Sequence, residues 1–175
     1  MKSALLVIDF QNTIFTDPPA YQVALVLQRI RNLISKARDA GLSIIYVQHE
    51  EAGTTWQKGS ETWKFPEAIA PKPNDFVSPK SISDAFQDSA LQAHLVEQGI
   101  GRMYICGYAT EFCIDTNVRR AASGKLQTVV VSDAHTTRDR PHMKAPAIIE
   151  HHNWVWCELG TIQLIPSNGV DFSAD

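Results

Sequence analysis

The chain has 175 residues, of which 44% are hydrophobic and 20% charged, with a formal net charge of −3 and a mean hydropathy of −0.16. This composition is typical of one globular domain, and we predict a single domain over residues 1–175. Scattered charges with a mildly acidic balance give no electrostatic reason to expect a nucleic acid or an anionic membrane as partner, and the apolar runs are too short to cross a bilayer.

The first half of the chain alternates strand and helix patterns. Residues 4–8 form a continuous apolar run, which is typical of a strand buried on both faces of a sheet. Asp17 followed by Pro18 predicts the N-cap and first position of a helix, which apolar residues at helical spacing continue as far as Gly41. Further strands are predicted over 42–47, 76–79, 102–106, 127–132 and 154–158. Further helices are predicted over 89–98, 112–123 and 141–152. A long functional loop with a short helix inside it is predicted over 49–74, and a loosely ordered tail from about Pro166.

Alternating apolar strands and helices predict an α/β protein, with a three-layer α/β/α Rossmann-like fold around a six-stranded, mainly parallel sheet. In such sheets the ligand site lies outside the carboxyl ends of the strands. Asp9, His49 and Lys80 each lie at or just past a predicted strand end, as does the turn of residues 107–113. The sequence therefore predicts that these residues share one site.

Cys113 lies just inside the predicted start of the helix that follows the fourth strand. A free thiol with a pKa near 8.5 is only about 3% thiolate at pH 7. A helix N-terminus and a nearby cation lower that pKa to between roughly 3.5 and 7.5, and the N–H groups of the same turn can hold an oxyanion. Cys113 is therefore a candidate nucleophile, whereas Cys106 and Cys157, which lie within predicted strands, are interpreted as inert.

Asp9 and Lys80 are the candidate partners of this cysteine. Asp9 directly follows the apolar run of the first strand, where an unpaired carboxylate is costly to desolvate. It is either a cap at the strand end or a general base whose pKa its neighbours set. Lys80 is by itself typical of a solvated surface charge, and it acquires a catalytic role only if it contacts Asp9 and Cys113.

Three short segments carry a resemblance to a known family. An aspartate ends the first strand in residues 6–12 (LVIDFQN), a lysine precedes residues 81–86 (SISDAF), and a cysteine lies within residues 107–116 (GYATEFCIDT). In this order and spacing they resemble the isochorismatase-like cysteine hydrolase superfamily, which includes nicotinamidases and N-carbamoylsarcosine amidohydrolases. The resemblance extends from residue 3 to about residue 160.

The resemblance implies a catalytic triad of Asp9, Lys80 and Cys113. It also implies a cis peptide bond between Tyr108 and Ala109, and an oxyanion hole formed by the backbone N–H groups of Ala109 and Cys113. The implied activity is hydrolysis of a C–N bond in a small amide, carbamoyl compound or lactam through a thioester on Cys113. No cofactor is expected. The resemblance also implies a homo-oligomer, either a dimer or a tetramer.

One segment departs from the family pattern. Nicotinamidases of this family carry an Asp-x-His metal site after the second strand, but here Val47 occupies the aspartate position and only His49 remains. With so few ligands we predict no metal site, and we do not expect nicotinamidase activity. Whether His49 contributes to binding together with Glu50 or Glu51 stays open.

The predicted substrate pocket is rich in aromatic side chains. Its predicted lining residues are Phe15, His49, Trp56, Trp63, Phe86, Tyr108 and Phe112. Such a wall favours a small planar or ring-bearing amide, although about half of these aromatic residues are expected to belong to the core or to a subunit interface. His135 follows the fifth predicted strand, within reach of the pocket, but is not assigned to it. The pair at residues 151–152 is interpreted as a helix C-terminal feature.

Two other functions compete with the amidohydrolase. An isochorismatase-type hydrolase of vinyl ethers shares the fold but lacks the cysteine nucleophile, so Cys113 counts against it. A non-catalytic binding or assembly member of the family is disfavoured by the three complete motifs. The odd number of cysteines, without a CxxC pair, and an N-terminus without a signal-peptide pattern predict a reducing, cytoplasmic setting.

Overall fold

A six-stranded sheet forms the centre of the protein in the computed structural model, which describes residues 1–87, 89–124 and 126–172. Its strands are β1 (Lys2–Ile8), β2 (Ser43–His49), β3 (Phe76–Lys80), β4 (Ile100–Tyr108), β5 (Gln127–Thr136) and β6 (Ile162–Ile165). They lie in the order β3-β2-β1-β4-β5-β6, and every neighbouring pair is parallel. The predicted α/β class and six-stranded parallel sheet are therefore confirmed.

Helices and short helical turns connect the strands. The helices are α1 (Val23–Asp39), α2 (Leu91–Gln98), α3 (Asp115–Ser123) and α4 (Ala145–Glu158); the shorter turns are two 3-10 turns, Asn12–Phe15 and Glu67–Ile69, and one π-helical turn, Thr110–Ile114. The second 3-10 turn is the short helix predicted inside the long loop. Within the described ranges, no helix is long and apolar enough to cross a membrane.

The apolar run of β1 is buried on both faces of the sheet. Leu5 and Val7 belong to one hydrophobic cluster, together with Ile30 of α1. Leu6 points to the opposite face and belongs to a second cluster, which Val118 of α3 also joins. Successive side chains of a strand point to opposite faces, so a strand covered on both sides must be apolar throughout.

Helix α1 begins later than the sequence predicts. Asp17 is not an N-cap, because α1 starts at Val23 and Gln22 precedes it. The intervening segment is held by tertiary contacts, since the Ala20 N–H donates to the Ile14 carbonyl and the Tyr21 N–H donates to the Thr137 carbonyl, just after β5. An Asp-Pro pair is equally compatible with such a turn.

The last predicted strand, over residues 154–158, is wrong. These residues form the end of α4, which starts at Ala145 rather than at residue 141, and the sixth strand follows at Ile162–Ile165. Trp156 is fully buried whereas Trp154 is 61% exposed, as expected for one face of a helix. A short apolar run does not distinguish a strand from a helix by itself. The two histidines at 151–152 consequently lie within α4 and are not a C-terminal feature.

The segment after β6 is not loosely ordered as far as the structure describes it. Val170 and Phe172 are buried against the face of the sheet that α1 covers. Lys36 Nζ donates to the Val170 carbonyl over 3.3 Å, and the Ser167 N–H donates to Asp133 Oδ1 over 2.7 Å. The predicted loose tail is thus wrong up to residue 172, and its last three residues lie outside the described ranges.

The strand order changes direction between β1 and β4, and a doubly wound sheet opens a crevice at the carboxyl end of such a switch point. Gly107 lets the two strands come together there. Its φ is +129°, and a methyl group at this position would overlap the Ile8 carbonyl oxygen and lie 2.8 Å from the Ile8 nitrogen. The close approach brings residue 9 and the turn after β4 side by side.

Substituting Gly107→Ala should therefore destabilise the fold more than Gly41→Ala. Gly41 also has a positive φ of 75°, but a methyl group there meets nothing within 4 Å. We expect Gly41→Ala to cost about 1 kcal/mol for the left-handed backbone, and Gly107→Ala to cost about 3 kcal/mol more because of overpacking. Urea unfolding of both variants measures the difference; equal losses would contradict the close approach.

Candidate active site

Three predicted side chains meet at the carboxyl ends of β1 and β3 and in the turn after β4. Lys80 Nζ lies 2.6 Å from Asp9 Oδ2 and 3.2 Å from Cys113 Sγ. The side chains of Lys80 and Asp9 are 1% and 2% exposed, so each charge is compensated by the other rather than by water. Asp9 Oδ1 is buried and has no hydrogen-bond partner among the described residues, which leaves a basic atom available inside the site.

The charge on Lys80 is stable in this environment. Burial alone would lower the pKa of Lys80, but Asp9 and Cys113 outweigh burial and hold that pKa above its ordinary value. Lys80 Nζ also lies 3.4 Å from His49 Nδ1. Burial and the neighbouring Lys80 cation lower the pKa of His49, so its imidazole is neutral at pH 7 and its Nδ1 can accept a hydrogen bond from the lysine.

The resting Cys113 is a thiol, not a thiolate. Burial and the Asp9 carboxylate raise the pKa of Cys113 to about 12, against the opposing effect of Lys80. The expected lowering of this pKa by a helix start and a cation is therefore wrong, because the sulfur is buried and lies beside an anion. A proton transfer from Cys113 to Asp9 avoids two neighbouring anions, so a thiolate forms most readily in this way.

The turn that carries Cys113 wraps around one carbonyl group. The Ala109 carbonyl oxygen accepts hydrogen bonds from the N–H groups of Phe112 and Ile114, both over 3.1 Å. The predicted cis peptide between Tyr108 and Ala109 is present. The helix predicted from residue 112 instead begins as a π-helical turn at Thr110 and continues as α3.

Two buried amides that the sequence analysis missed fix the loops of the site. Gln11 donates from Nε2 to the carbonyls of His49 and Trp63 over 3.1 and 2.7 Å, and its Oε1 accepts from the His49 N–H over 2.9 Å. Gln11 is fully buried only two residues after Asp9, and that position is the one sequence signal that could have identified it.

Asn117 is the second such amide, one helical turn after Cys113. Its Nδ2 donates to the carbonyls of Cys113 and Ser83 over 2.7 and 2.8 Å, and its Oδ1 accepts from the Ala85 N–H over 2.7 Å. It therefore ties the nucleophile turn to the loop that follows Lys80. Asn117 is fully buried on the apolar face of α3. A polar residue at a position where the helix pattern calls for an apolar one is the sequence signal that could have identified it.

The predicted pocket residues fall into two groups. His49, Trp56 and Tyr108 form one wall, in which Trp56 lies 5.3 Å from His49 and 6.2 Å from Tyr108 between ring centroids. The other predicted residues have separate surroundings. Phe15 packs edge to face on Phe10, with ring centroids 5.9 Å apart, and the indole Nε1 of Trp63 is buried without a partner among the described residues. Phe86 lines a different cavity, together with Leu95 and Arg120. The side chain of Phe112 is 51% exposed and lies beneath the guanidinium of Arg140.

Two arginines lie at the rim of this wall. Burial raises the pKa of Tyr108, while the cations of Arg138 and Arg140 act to lower it, which places both near its hydroxyl. Arg140 Nε pairs with Glu111 Oε1 at 2.6 Å. Arg138 donates to the Thr13 carbonyl over 2.9 Å, makes no ion pair with any residue of the described ranges, and has a buried Nε without a partner there. No carboxylate of the described residues therefore compensates the charge of Arg138.

No group of three or more His, Cys, Asp or Glu side chains in the described part of the chain is arranged to hold a metal ion. His49 Nε2 lies 3.9 Å from Glu51 Oε2, and Glu50 pairs with Lys58 at 3.1 Å. His135, which the sequence placed within reach of the pocket, is 2% exposed and bonds to Thr110 and Asn153 instead.

Known proteins resemble this chain over most of its length. The profile described as the isochorismatase domain matches residues 3–155. Streptothricin hydrolase of Streptomyces noursei is 29% identical over 170 residues, which cover 93% of this chain and 62% of that protein, so the chain spans about three-fifths of the relative. Ureidoacrylate amidohydrolase of Stutzerimonas stutzeri is 26% identical over 171 residues, covering 76% of this chain and 69% of the relative. A solved isochorismatase family protein is 32% identical with a TM-score of 0.88, covering 93% of this chain and 97% of its own.

The variant Asp9→Asn should lower the pKa of Cys113. Asp9 raises that pKa and Lys80 lowers it, so removing the carboxylate charge leaves the lysine unopposed. A fall of one pKa unit raises the thiolate fraction about tenfold, and iodoacetamide should alkylate Cys113 correspondingly faster at pH 8. Lys80→Met should shift the pH–rate profile in the opposite direction.

Peptide mapping by mass spectrometry measures the alkylation of Cys113 and of Cys157 separately. Cys157 is exposed, lies outside the site and serves as the internal reference, whose alkylation rate neither substitution should change. A Cys113 profile that stays in place or moves to higher pH in Asp9→Asn would show that the carboxylate does not control the thiol.

Proposed function

This chain belongs to the isochorismatase family, and from that premise we propose that it is a cysteine hydrolase that cleaves a C–N bond of a small molecule. The contact among Asp9, Lys80 and Cys113 carries the proposal, because it places a carboxylate, a cation and a thiol within reach of one another at a crevice of the sheet. A buried ion pair beside a half-buried thiol is costly to maintain for structure alone, which supports a catalytic role over a purely binding one.

In the proposed mechanism, Asp9 acts first as a general base. It accepts the proton of Cys113 while Lys80 stabilises the sulfur anion, and the sulfur attacks the carbonyl carbon of the substrate. The backbone N–H groups of Ala109 and Cys113 donate hydrogen bonds to the developing oxyanion. The resting thiol fits this role, since its proton has an acceptor close by and the charge of the site does not change.

Asp9 then acts as a general acid. It returns the proton to the nitrogen, and the C–N bond breaks. Ammonia or an amine departs, and the acyl group remains bound to Cys113 as a thioester. A water molecule gives a proton to Asp9 and attacks the thioester carbonyl. The sulfur leaves and recovers that proton, and the product is a carboxylic acid from an amide or lactam and a carbamic acid from a ureido compound.

Amide hydrolysis is favoured over vinyl-ether hydrolysis by the thiol itself. Protonation of a vinyl ether requires an acid but no sulfur nucleophile, so Cys113 would have no use in that reaction. The similarity to a protein named ureidoacrylate amidohydrolase also supports C–N bond cleavage. Isochorismate hydrolysis is the second candidate function. It is distinguished from amide hydrolysis because the Cys113→Ala variant would still hydrolyse isochorismate.

The rim of the site supports a substrate with a planar amide or ureido group and a negative charge. The rings of Trp56 and Tyr108 are suited to pack against a planar group. The guanidinium of Arg138 lies near Tyr108 and is half-buried, and it forms no ion pair with the residues that the structure describes. An anionic ligand would stabilise such a cation. Among ureido compounds, amides and lactams, we therefore propose that ureido acids and other carboxylate-bearing amides are preferred.

The proposal extends to assembly and location. Phe112 and Trp154 are large apolar side chains with 51% and 61% of their surface exposed, which supports a homo-oligomer. Light scattering coupled to size-exclusion chromatography measures the subunit number. The three cysteines are unpaired, which fits a reducing cytoplasm.

Cys113→Ala should abolish the release of ammonia or amine from a panel of primary amides, ureido acids and lactams. Intact-protein mass spectrometry of a rapidly quenched reaction should show an acyl adduct on the wild-type chain. Cys157→Ala is the matched control, because it removes a thiol outside the site, and it should retain the wild-type rate. An adduct that maps to another residue, or full turnover by Cys113→Ala, would end the proposal.

Arg138→Gln should change substrate preference more than it changes stability. A charge-assisted hydrogen bond is worth about 1.5–3 kcal/mol, so the ratio of kcat/KM for a ureido acid to kcat/KM for a neutral amide should fall at least about tenfold. Arg120→Gln is the control, since Arg120 lies on α3 beside Asp84 and should leave the ratio unchanged. An unchanged ratio in Arg138→Gln would remove the anionic preference.

A further inference from the structure

A buried chain of hydrogen bonds connects the nucleophile turn to α4. Asn153 Nδ2 donates to the Ser132 carbonyl over 2.9 Å, which fixes the orientation of the amide. Asn153 Oδ1 therefore faces His135 Nε2 at 3.0 Å, and Nε2 must carry the imidazole proton. His135 Nδ1 is then the acceptor for the hydroxyl of Thr110 at 2.9 Å. Each donor and acceptor in the chain is assigned without ambiguity.

The imidazole is neutral and closely packed. His135 is 2% exposed and Thr110 is fully buried. Burial lowers the pKa of His135 to about 4, so acidification within the usual range does not break the chain. Trp156 packs edge-on against the ring at 5.2 Å, and its indole Nε1 donates to Asp115 Oδ1 over 2.7 Å.

These contacts act on both ends of the π-helical turn. Thr110 is its first residue and follows Ala109, whose N–H is directed at the oxyanion in the proposed mechanism. Asp115 follows its last residue. The turn is thus held from behind by β5 and α4, while Cys113 faces the crevice in front.

We propose that His135 is a positioning residue, which holds Thr110 and thereby the Ala109 and Cys113 N–H groups in the geometry that the oxyanion requires. This inference rests on the proposed function. Thr110 directly follows Ala109, so a lost contact at this first residue of the turn lets the Ala109 peptide shift. A shift of 1 Å in an active site costs up to about a hundredfold in rate.

Two pairs of substitutions separate positioning from general packing. His135→Gln keeps a donor toward Asn153 but loses the acceptor for Thr110, whereas His135→Asn keeps that acceptor and loses the donor. Thr110→Val removes the hydroxyl with little change of shape, and Thr110→Ser retains it. We expect His135→Gln and Thr110→Val to lower kcat about tenfold with less than a twofold change in KM, and the two conservative variants to recover most of that loss.

The double variant Thr110→Val with His135→Gln should be no slower than either single variant, because both remove the same hydrogen bond. His152→Gln is the control on α4. Its Nδ1 bonds within the helix to the Ile148 carbonyl, and its ring lies 5.7 Å from that of Trp156 and forms no part of the bond between Thr110 and His135, so its kcat should match the wild type. Equal losses of kcat in His135→Gln and His135→Asn, in proportion to their losses in thermal stability, would overturn the proposal.

Alkylation of Cys113 by iodoacetamide gives a readout that does not depend on the substrate. Displacing the turn moves the sulfur away from Asp9, whose carboxylate raises the pKa of Cys113, and should therefore speed alkylation in His135→Gln and Thr110→Val but not in His152→Gln. If Cys113→Ala does not affect hydrolysis while alkylation is faster in His135→Gln and Thr110→Val, the proposed function fails and the positioning role stands. If hydrolysis depends on Cys113 but kcat and alkylation are normal in Thr110→Val, the positioning role alone fails.

Discussion

The buried ion pair between Lys80 and Asp9 is the constraint on which the rest of the site depends. An unpaired charge at either position would cost several kcal/mol, so the two strand ends must present their side chains together. The strands β1 and β3 are not neighbours, and β2 sets their offset: Ile8 pairs with Val47, and Lys80 pairs with His49. The register of the sheet is therefore also the geometry of the proposed catalytic group.

The same ion pair explains how a thiol with a raised pKa can serve as a nucleophile. Ionising Cys113 into solvent would place two anions beside one lysine, whereas transfer of its proton to Asp9 leaves the group neutral overall. The proton is then held where the leaving nitrogen needs it. In this view the electrostatics of the site favour proton transfer within it and do not require a permanent thiolate.

The sequence predicted the sheet and the three motif residues because both leave local signals, an apolar run and short segments at strand ends. The sequence alone does not predict features that depend on contacts between residues distant along the chain. Trp154 and Trp156 fit a strand as well as a helix until the buried face is known, and Asp17 resembles an N-cap until tertiary bonds are seen. The direction in which the pKa of Cys113 shifts depends on the distance between its sulfur and the Asp9 carboxylate, which the sequence does not contain. Which aromatic residues face the crevice depends likewise on packing, so Phe86 was placed with Trp56 although they lie in different surroundings.

Buried polar side chains give the loops of this site their rigidity. Gln11, Asn117 and His135 come from three different parts of the chain, and each bonds to a segment distant in sequence. A buried polar group left without a partner costs about 1–3 kcal/mol, so any alternative loop conformation that breaks one of these bonds is disfavoured by that amount. The hydrophobic clusters can hold the sheet and helices together but are non-directional. Directional bonds from buried amides and an imidazole therefore have to fix the nucleophile turn, and the same residues that stabilise the loops also set the distances on which the proposed chemistry relies.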